Sequence, residues 1–164
     1  MEKVLIAYVT KTGTTKKAVE IISEVLETNN YYTTTIPISD VQETTGYDAV
    51  IVGGPINGMQ WHPDATAFIR TNSESFEEKD VSYFALAYVY SIGSKFWKKQ
   101  IDKAFNVSAK VIKPKITGIF GGKIDKEFST IARLIFGIKK ESPTDIQDFD
   151  KIRDWASEWV KLHS

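Results

Sequence analysis

Six apolar residues, Val4 to Val9, follow one another without a polar interruption. That is the pattern of a strand covered on both faces. The period then changes. From Thr14 to about Glu27, Ala18, Val19, Ile22, Val25 and Leu26 fall on one helical face. Tyr32–Ile36 is threonine-rich and β-branched, as an edge strand is. Asp48–Val52 reads as a second buried strand, stopped by Gly53-Gly54-Pro55. Pro63 opens a short helix through Ala67, Phe68 and Ile69. Val81–Ala87 is the next buried strand, and Ser94 caps a helix with Trp97, Ile101, Ala104 and Phe105 on its inner side. Ile116–Phe120 is a further strand, closed by Gly121-Gly122. Phe149, Ile152, Ala156 and Trp159 form the inner stripe of a last helix. Five strands alternating with helices predict an α/β fold, a doubly wound parallel sheet. No internal repeat, low-complexity tract or linker divides the chain, so residues 1–164 read as one domain.

Composition changes this picture in three ways. The chain has no cysteine, which excludes disulfides, thiolate metal sites and a cysteine nucleophile. No apolar run approaches about 18 residues and no signal-peptide pattern opens the chain, so a cytoplasmic protein is expected. The formal net charge is zero but unevenly spread: residues 93–140 hold 12 Lys/Arg and 3 Asp/Glu, against 9 and 18 elsewhere. This basic stretch is either a solvated face or a surface for an anionic partner or a membrane. It matches no nucleic-acid-binding module, and nucleic acid is not expected as a partner.

Three segments follow strands at the end of the sheet where ligands bind in such folds. They are the loop Thr10–Thr15, the loop Gly53–Trp61, and the loop Tyr88–Gly93. The first concentrates four threonines around Gly13 at a helix start. A helix N-terminus presents free N–H groups and partial positive charge, a seat for phosphate. Threonine hydroxyls add donors, and glycine lets the backbone curl around an anion. Neither the P-loop nor the dinucleotide glycine pattern is present. The alternative is ordinary capping, with one threonine on the helix end and the others solvated.

T-K-T-G-T-T at this place resembles the flavodoxin phosphate signature [ST]-x-T-G-x-T, and the resemblance extends over nearly the whole chain. G-G-P-I-N-G-M-Q-W-H-P and G-G-K-I-D-K-E-F-S-T-I-A-R-L-I-F-G look more like one branch, the flavodoxin-type, quinone-linked protoporphyrinogen oxidases and related flavodoxin-domain proteins. The resemblance implies a five-stranded parallel sheet of order 2-1-3-4-5 and FMN as cofactor. Thr10, Lys11, Thr12, Gly13, Thr14 and Thr15 would surround its phosphate. Pro55, Ile56, Asn57, Gly58 and Met59 would line one side of the isoalloxazine, and Tyr88, Val89, Tyr90, Ser91 and Gly93 the other. A flat ring with apolar faces needs aromatic or aliphatic walls, which makes Trp61, Tyr88 and Tyr90 wall candidates. The Gly58 peptide, in an Asn-Gly turn, would accept a hydrogen bond from reduced flavin N5.

Two features depart from ordinary flavodoxins, which crowd acidic residues around the flavin. Here the fourth loop and beyond carry Lys95, Lys98, Lys99, Lys103, Lys123, Lys126, Arg133, Lys139 and Lys140. Nearby positive charge favours an anionic reduced cofactor. The second is Gly121–Pro143, where Phe128, Ile131, Leu134 and Ile135 make an extra amphipathic stretch. It covers the flavin rim, meets an apolar anionic substrate such as a porphyrin, touches a membrane surface, or packs on the core, and the last is the expectation. No catalytic triad, nucleophile elbow or metal-ligand spacing is present; His62, beside the second loop, either shuttles a proton or starts a helix, and the latter is the expectation.

The functional expectation is therefore an FMN-binding redox protein, either a carrier or an enzyme, served by a redox partner protein, a quinone or a small-molecule substrate. One alternative is a protoporphyrinogen oxidase-like dehydrogenase passing electrons to a quinone. Another is a flavodoxin-shaped binding module without redox chemistry.

Overall fold

The computed structural model describes all residues, Met1–Ser164. Strands β1 (Lys3–Tyr8), β2 (Tyr32–Pro37), β3 (Ala49–Asn57), β5 (Asp80–Leu86) and β6 (Thr117–Phe120) form a parallel sheet, and the two-residue β4 (Gln60–Trp61) pairs antiparallel with β3. The order is β2-β1-β3-β5-β6. Without the small β4 this is the expected 2-1-3-4-5. Helices α1 (Thr14–Thr28), α2 (Pro63–Thr71), α3 (Ser73–Phe76), α4 (Tyr88–Ile92), α5 (Lys95–Phe105), α6 (Thr130–Phe136) and α7 (Phe149–His163) complete the chain, with single 3-10 turns at Ile38–Asp40 and Ser108–Lys110.

The continuous apolar strands are explained by two cores. Val4 and Ile6 of β1 face one layer with α1 and α7, while Leu5 and Ala7 face the other with α2 and α5. The same alternation divides Ala49 and Ile51 from Val50 and Val52 in β3. A strand sandwiched this way has no face for polar residues. Each fully buried Leu, Ile or Phe contributes roughly 1.5–3 kcal/mol of hydrophobic stabilisation. Between the layers the Trp159 indole N–H donates to Ser82 Oγ at 3.1 Å, while the buried Trp155 indole N–H has no partner.

Gly53-Gly54-Pro55 does not stop its strand. β3 continues to Asn57, pairing Gly53, Gly54 and Pro55 with Phe84, Ala85 and Leu86 of β5. Pro55 lies beyond the last β1 partner, where its missing N–H costs no ladder bond. Gly53 is required by packing: a Cβ there would lie 2.0 Å from Phe84 Cζ. The chain then turns at Gly58 and Met59, both at positive φ (56° and 65°), and returns as β4. Tyr88–Ile92 is likewise not a loop but one helical turn, ended at Gly93, whose N–H donates to Val89 O at 2.7 Å.

The segment expected to complete the core does the opposite. No residue of α6 is buried, and Ile131, Leu134 and Ile135 are 74%, 83% and 56% exposed. Arg133 and Phe136 take the inner side instead. The Arg133 guanidinium donates to the carbonyls of Phe128, Lys139 and Lys140, and Phe136 packs on Phe128 and Trp97. Apolar spacing fixed the helix but not the side it presents.

At the far end, the His163 ring stacks on Trp159 (3.6 Å, 13°), and its Nδ1–H donates to Trp159 O at 2.7 Å. Burial holds this imidazole below its ordinary pKa of 6.5, aided by the Lys115 charge and opposed by the Trp159 hydrogen bond, Asp80 and Glu2. The unfolded chain therefore takes up the proton first, and stability falls as pH drops below 6.5 toward the folded pKa. Urea midpoints followed across that window should decline in the native protein and flatten in His163→Gln. An unchanged slope would remove His163 from the acid response.

Candidate functional site

The carboxyl ends of the strands meet at a cleft of about 510 Å³. Its lining comes from four segments: Lys11, Thr12, Thr14 and Thr15 after β1; Pro55, Ile56 and Asn57 at the end of β3; Leu86 and Tyr88 at the end of β5; and Gly122–Asp125 with Lys126 and Phe128 after β6. The order reversal between β1 and β3 places it at the sheet's switch point.

The first wall is a donor-rich turn. Gly13, at φ +80°, is the N-cap residue of α1, and no side chain caps that helix. Thr10 Oγ1 instead accepts the Gly13 N–H at 3.0 Å, closing the turn behind the cleft. The first bond of the helix is Lys17 N–H to Gly13 O. The N–H groups of Thr14, Thr15 and Lys16 consequently have no partner within the chain. Thr12 and Thr14 hydroxyls lie 2.9 Å apart and share one proton, leaving the other to donate outward. Thr15 is buried at the floor. Ordinary capping by a threonine is thus absent, and the donors stay open toward the cleft.

The opposite wall is pinned at several points. Ile124 N–H donates to Thr144 O at 3.0 Å, and Ile146 N–H to Gly122 O at 3.2 Å. The Tyr88 hydroxyl donates to Pro143 O at 2.6 Å, and its ring packs on Phe128 at 5.7 Å. Burial raises the Tyr88 pKa while Arg133 lowers it and Glu127 raises it, so the phenol stays neutral. Lys11, Lys123 and Lys126 line the cleft against a single carboxylate, Asp125, and none of the three lysines forms an ion pair. The site is electropositive, apolar along Pro55, Ile56, Leu86 and Phe128, and polar at the α1 end.

Of the residues expected at a binding site, the structure brings Lys11, Thr12, Thr14, Thr15, Pro55, Ile56, Asn57 and Tyr88 together in the cleft. Thr10 and Gly13 shape the turn without lining it. Gly58 and Met59 form the tip of the β3–β4 hairpin. Trp61 lies elsewhere: it is 4% exposed in the second core layer, edge-on to Phe105 at 4.9 Å, with its N–H donating to Gly54 O at 3.2 Å. Tyr90 and Ser91 open onto a separate groove beside Lys98 and Asp148, Val89 packs on the second core layer, and Gly93 ends α4. His62 caps α2 by accepting the Asp64 N–H at 3.3 Å, as a helix-start residue does. The wall from Gly122 to Phe128 and Leu86 were not among the expected contacts. The signal was present, since Gly121-Gly122 leaves β6 at the same end of the sheet as the other loops.

The family model described as "Flavodoxin domain" matches residues 5–150. No curated protein sequence matches the chain. Solved structures with the same fold include flavodoxin 2 of Bacillus cereus, 17% identical over 97% of this chain and 98% of that one, with a TM-score of 0.62. The Streptococcus pneumonia TIGR4 flavodoxin is 13% identical over 97% and 98%, with a TM-score of 0.61. A Fusobacterium nucleatum flavodoxin bound to flavin mononucleotide is 20% identical over 98% of each chain, with a TM-score of 0.50.

Proposed function

The chain belongs to the flavodoxin domain family, and from that membership we infer that it is an FMN-binding redox protein whose cofactor phosphate rests on the Thr10–Thr15 turn. The observation that carries this reading is the uncapped start of α1: the backbone N–H groups of Thr14, Thr15 and Lys16 have no partner within the chain, and Thr12, Thr14 and Thr15 line the cleft. That donor set fits a phosphate dianion held by neutral groups and the helix dipole. The apolar walls fit a planar ring, and the cleft volume of about 510 Å³ lies within the range of small-molecule sites.

FMN supplies hydride and single-electron transfer when bound, and needs no protein base for either. The chain's own residues hold and shield it. Thr12, Thr14 and Thr15 hold the phosphate, and Lys11 at the rim adds charge. Pro55, Ile56, Tyr88 and Phe128 exclude water from the ring. Asn57 and the hairpin tip at Gly58 and Met59 offer backbone groups at its edge. Lys123 and Lys126 stabilise negative charge in the cleft.

Titration of flavin-free protein with FMN and with riboflavin tests the reading. FMN should bind at least about a hundredfold more tightly, because only FMN carries the anion the turn would hold. Equal affinities would sink the phosphate assignment, and no binding of either would sink the flavin.

A second reading makes the protein an oxidase of protoporphyrinogen that passes electrons to a quinone. The wall from Gly122 to Phe128 favours it, since it sets lysines and a phenylalanine beside the cleft, chemistry suited to an apolar carboxylate substrate. Anaerobic bleaching of the bound flavin by protoporphyrinogen, and its recovery on adding a quinone, would support it. Unbleached flavin would leave electron transfer with a redox partner protein as the role.

A further inference from the structure

α6 is a finished helix with its aliphatic side outward. Ser129 Oγ accepts the Ala132 N–H at 3.2 Å at one end. At the other, Gly137 sits at φ +69° and Ile138 N–H donates to Arg133 O at 2.9 Å. It is fastened to α5, with the Trp97 indole N–H donating to Ile135 O at 2.6 Å and Ser94 N–H to Phe136 O at 3.0 Å. Ile131, Leu134 and Ile135 occupy i, i+3 and i+4, so their side chains stand on one stripe. Phe96, 60% exposed, stands at the start of α5 against Trp97, whose ring packs on Phe136 of α6. Caps, Arg133 and Phe136 hold the helix in place, and the apolar stripe is left mostly uncovered.

Cations frame this stripe. Lys95 and Lys99 lie exposed beside Phe96, and Lys139 and Lys140 follow the helix end. Residues 123–140 hold 5 Lys/Arg against 2 Asp/Glu, and one of those acids, Glu127, is paired with Arg133 at 3.1 Å. An acidic protein surface would answer the lysines but gain little from protruding aliphatic side chains. A bilayer with anionic headgroups answers both. Its headgroups meet the lysines, and its acyl boundary accepts the four apolar tips.

We propose that the outer face of α6, with Phe96, docks the protein on an anionic phospholipid bilayer. Leu134 and Ile131 enter the acyl boundary, and the flanking lysines hold the headgroups, the pairing of apolar and basic signals that stable peripheral binding requires. Phe128 and Lys126, which line the cleft, immediately precede α6, so docking would bring the cleft wall near the bilayer.

The purified protein is floated with phosphatidylcholine vesicles, with and without about 30% phosphatidylglycerol. It should float with the anionic vesicles and stay behind with the neutral ones. Leu134→Glu, at an 83% exposed position, should keep the native far-ultraviolet circular dichroism and weaken partitioning about tenfold or more. Lys139→Gln with Lys140→Gln should weaken it by about fivefold per charge removed. Failure to float with anionic vesicles overturns the proposal. So does a folded Leu134→Glu that floats as well as the native protein. A lipid-free dimer that Leu134→Glu dissolves, without flotation of the native chain, would give the face to a second copy instead.

Discussion

Replacing Gly53 by valine is expected to lower stability by more than about 3 kcal/mol, and in practice to leave little folded protein. The glycine lies in the middle of β3, fully inside the sheet. The ring of its neighbour Phe84 occupies the space a side chain would need, with Cζ 2.0 Å and Cε1 2.2 Å from the Cβ position. Phe84 cannot retreat, being 0% exposed and packed on Phe120 and Trp155. A clash of that depth against a buried ring is relieved only by moving a strand. Gly54 supplies the control on the same strand. A Cβ there meets nothing nearer than Trp61 Nε1 at 3.5 Å, so Gly54→Ala should stay within about 1 kcal/mol of the native protein. Urea unfolding followed by circular dichroism measures both. Matching midpoints for Gly53→Val and the native chain would contradict the packing described.

Thr14→Asp is expected to weaken FMN binding about a thousandfold while leaving riboflavin binding nearly unchanged. Thr14 is the first residue of α1 and lines the cleft. A carboxylate at a helix start is favourable for the helix itself, so folding should survive. The same carboxylate would lie where the phosphate dianion is proposed to sit, and like charges at contact distance repel. The ratio of the two affinities separates this from general damage, because a distorted cleft would lose both ligands. If the variant kept its preference for FMN, the anion would have to lie somewhere other than the α1 start.

The buried strands were legible because a parallel strand between two helix layers leaves a nearly bare apolar run, as Val4 to Val9 does and Val81 to Ala87 does but for Ser82. The donor-rich turn at the start of α1 was legible because threonine and glycine crowd a helix start with no apolar reason to be there. What stayed hidden depends on distant partners. Gly53 and Pro55 read as breakers, yet one makes room for Phe84 and the other sits past the end of β1. Trp61 read as a wall beside a loop, but the β3–β4 hairpin turns it onto Phe105. Tyr88–Ile92 read as a loop and forms a helical turn. The spacing of Ile131, Leu134 and Ile135 marked a helix, while the choice of face was made by Arg133, whose guanidinium finds three carbonyls inward.

Four aromatic contacts run in series from the cleft to the surface: Tyr88 to Phe128 at 5.7 Å, Phe128 to Phe136 at 5.6 Å, Phe136 to Trp97 at 5.1 Å, and Trp97 to Phe96 at 5.1 Å. Of the four tryptophans, Trp61, Trp155 and Trp159 are core residues, and Trp97 alone borders α6. The chain thus carries its own optical gauge. Fluorescence from the three shielded indoles forms a steady background, and a change of solvent polarity outside α6 registers as a colour shift from Trp97 without any dye being attached.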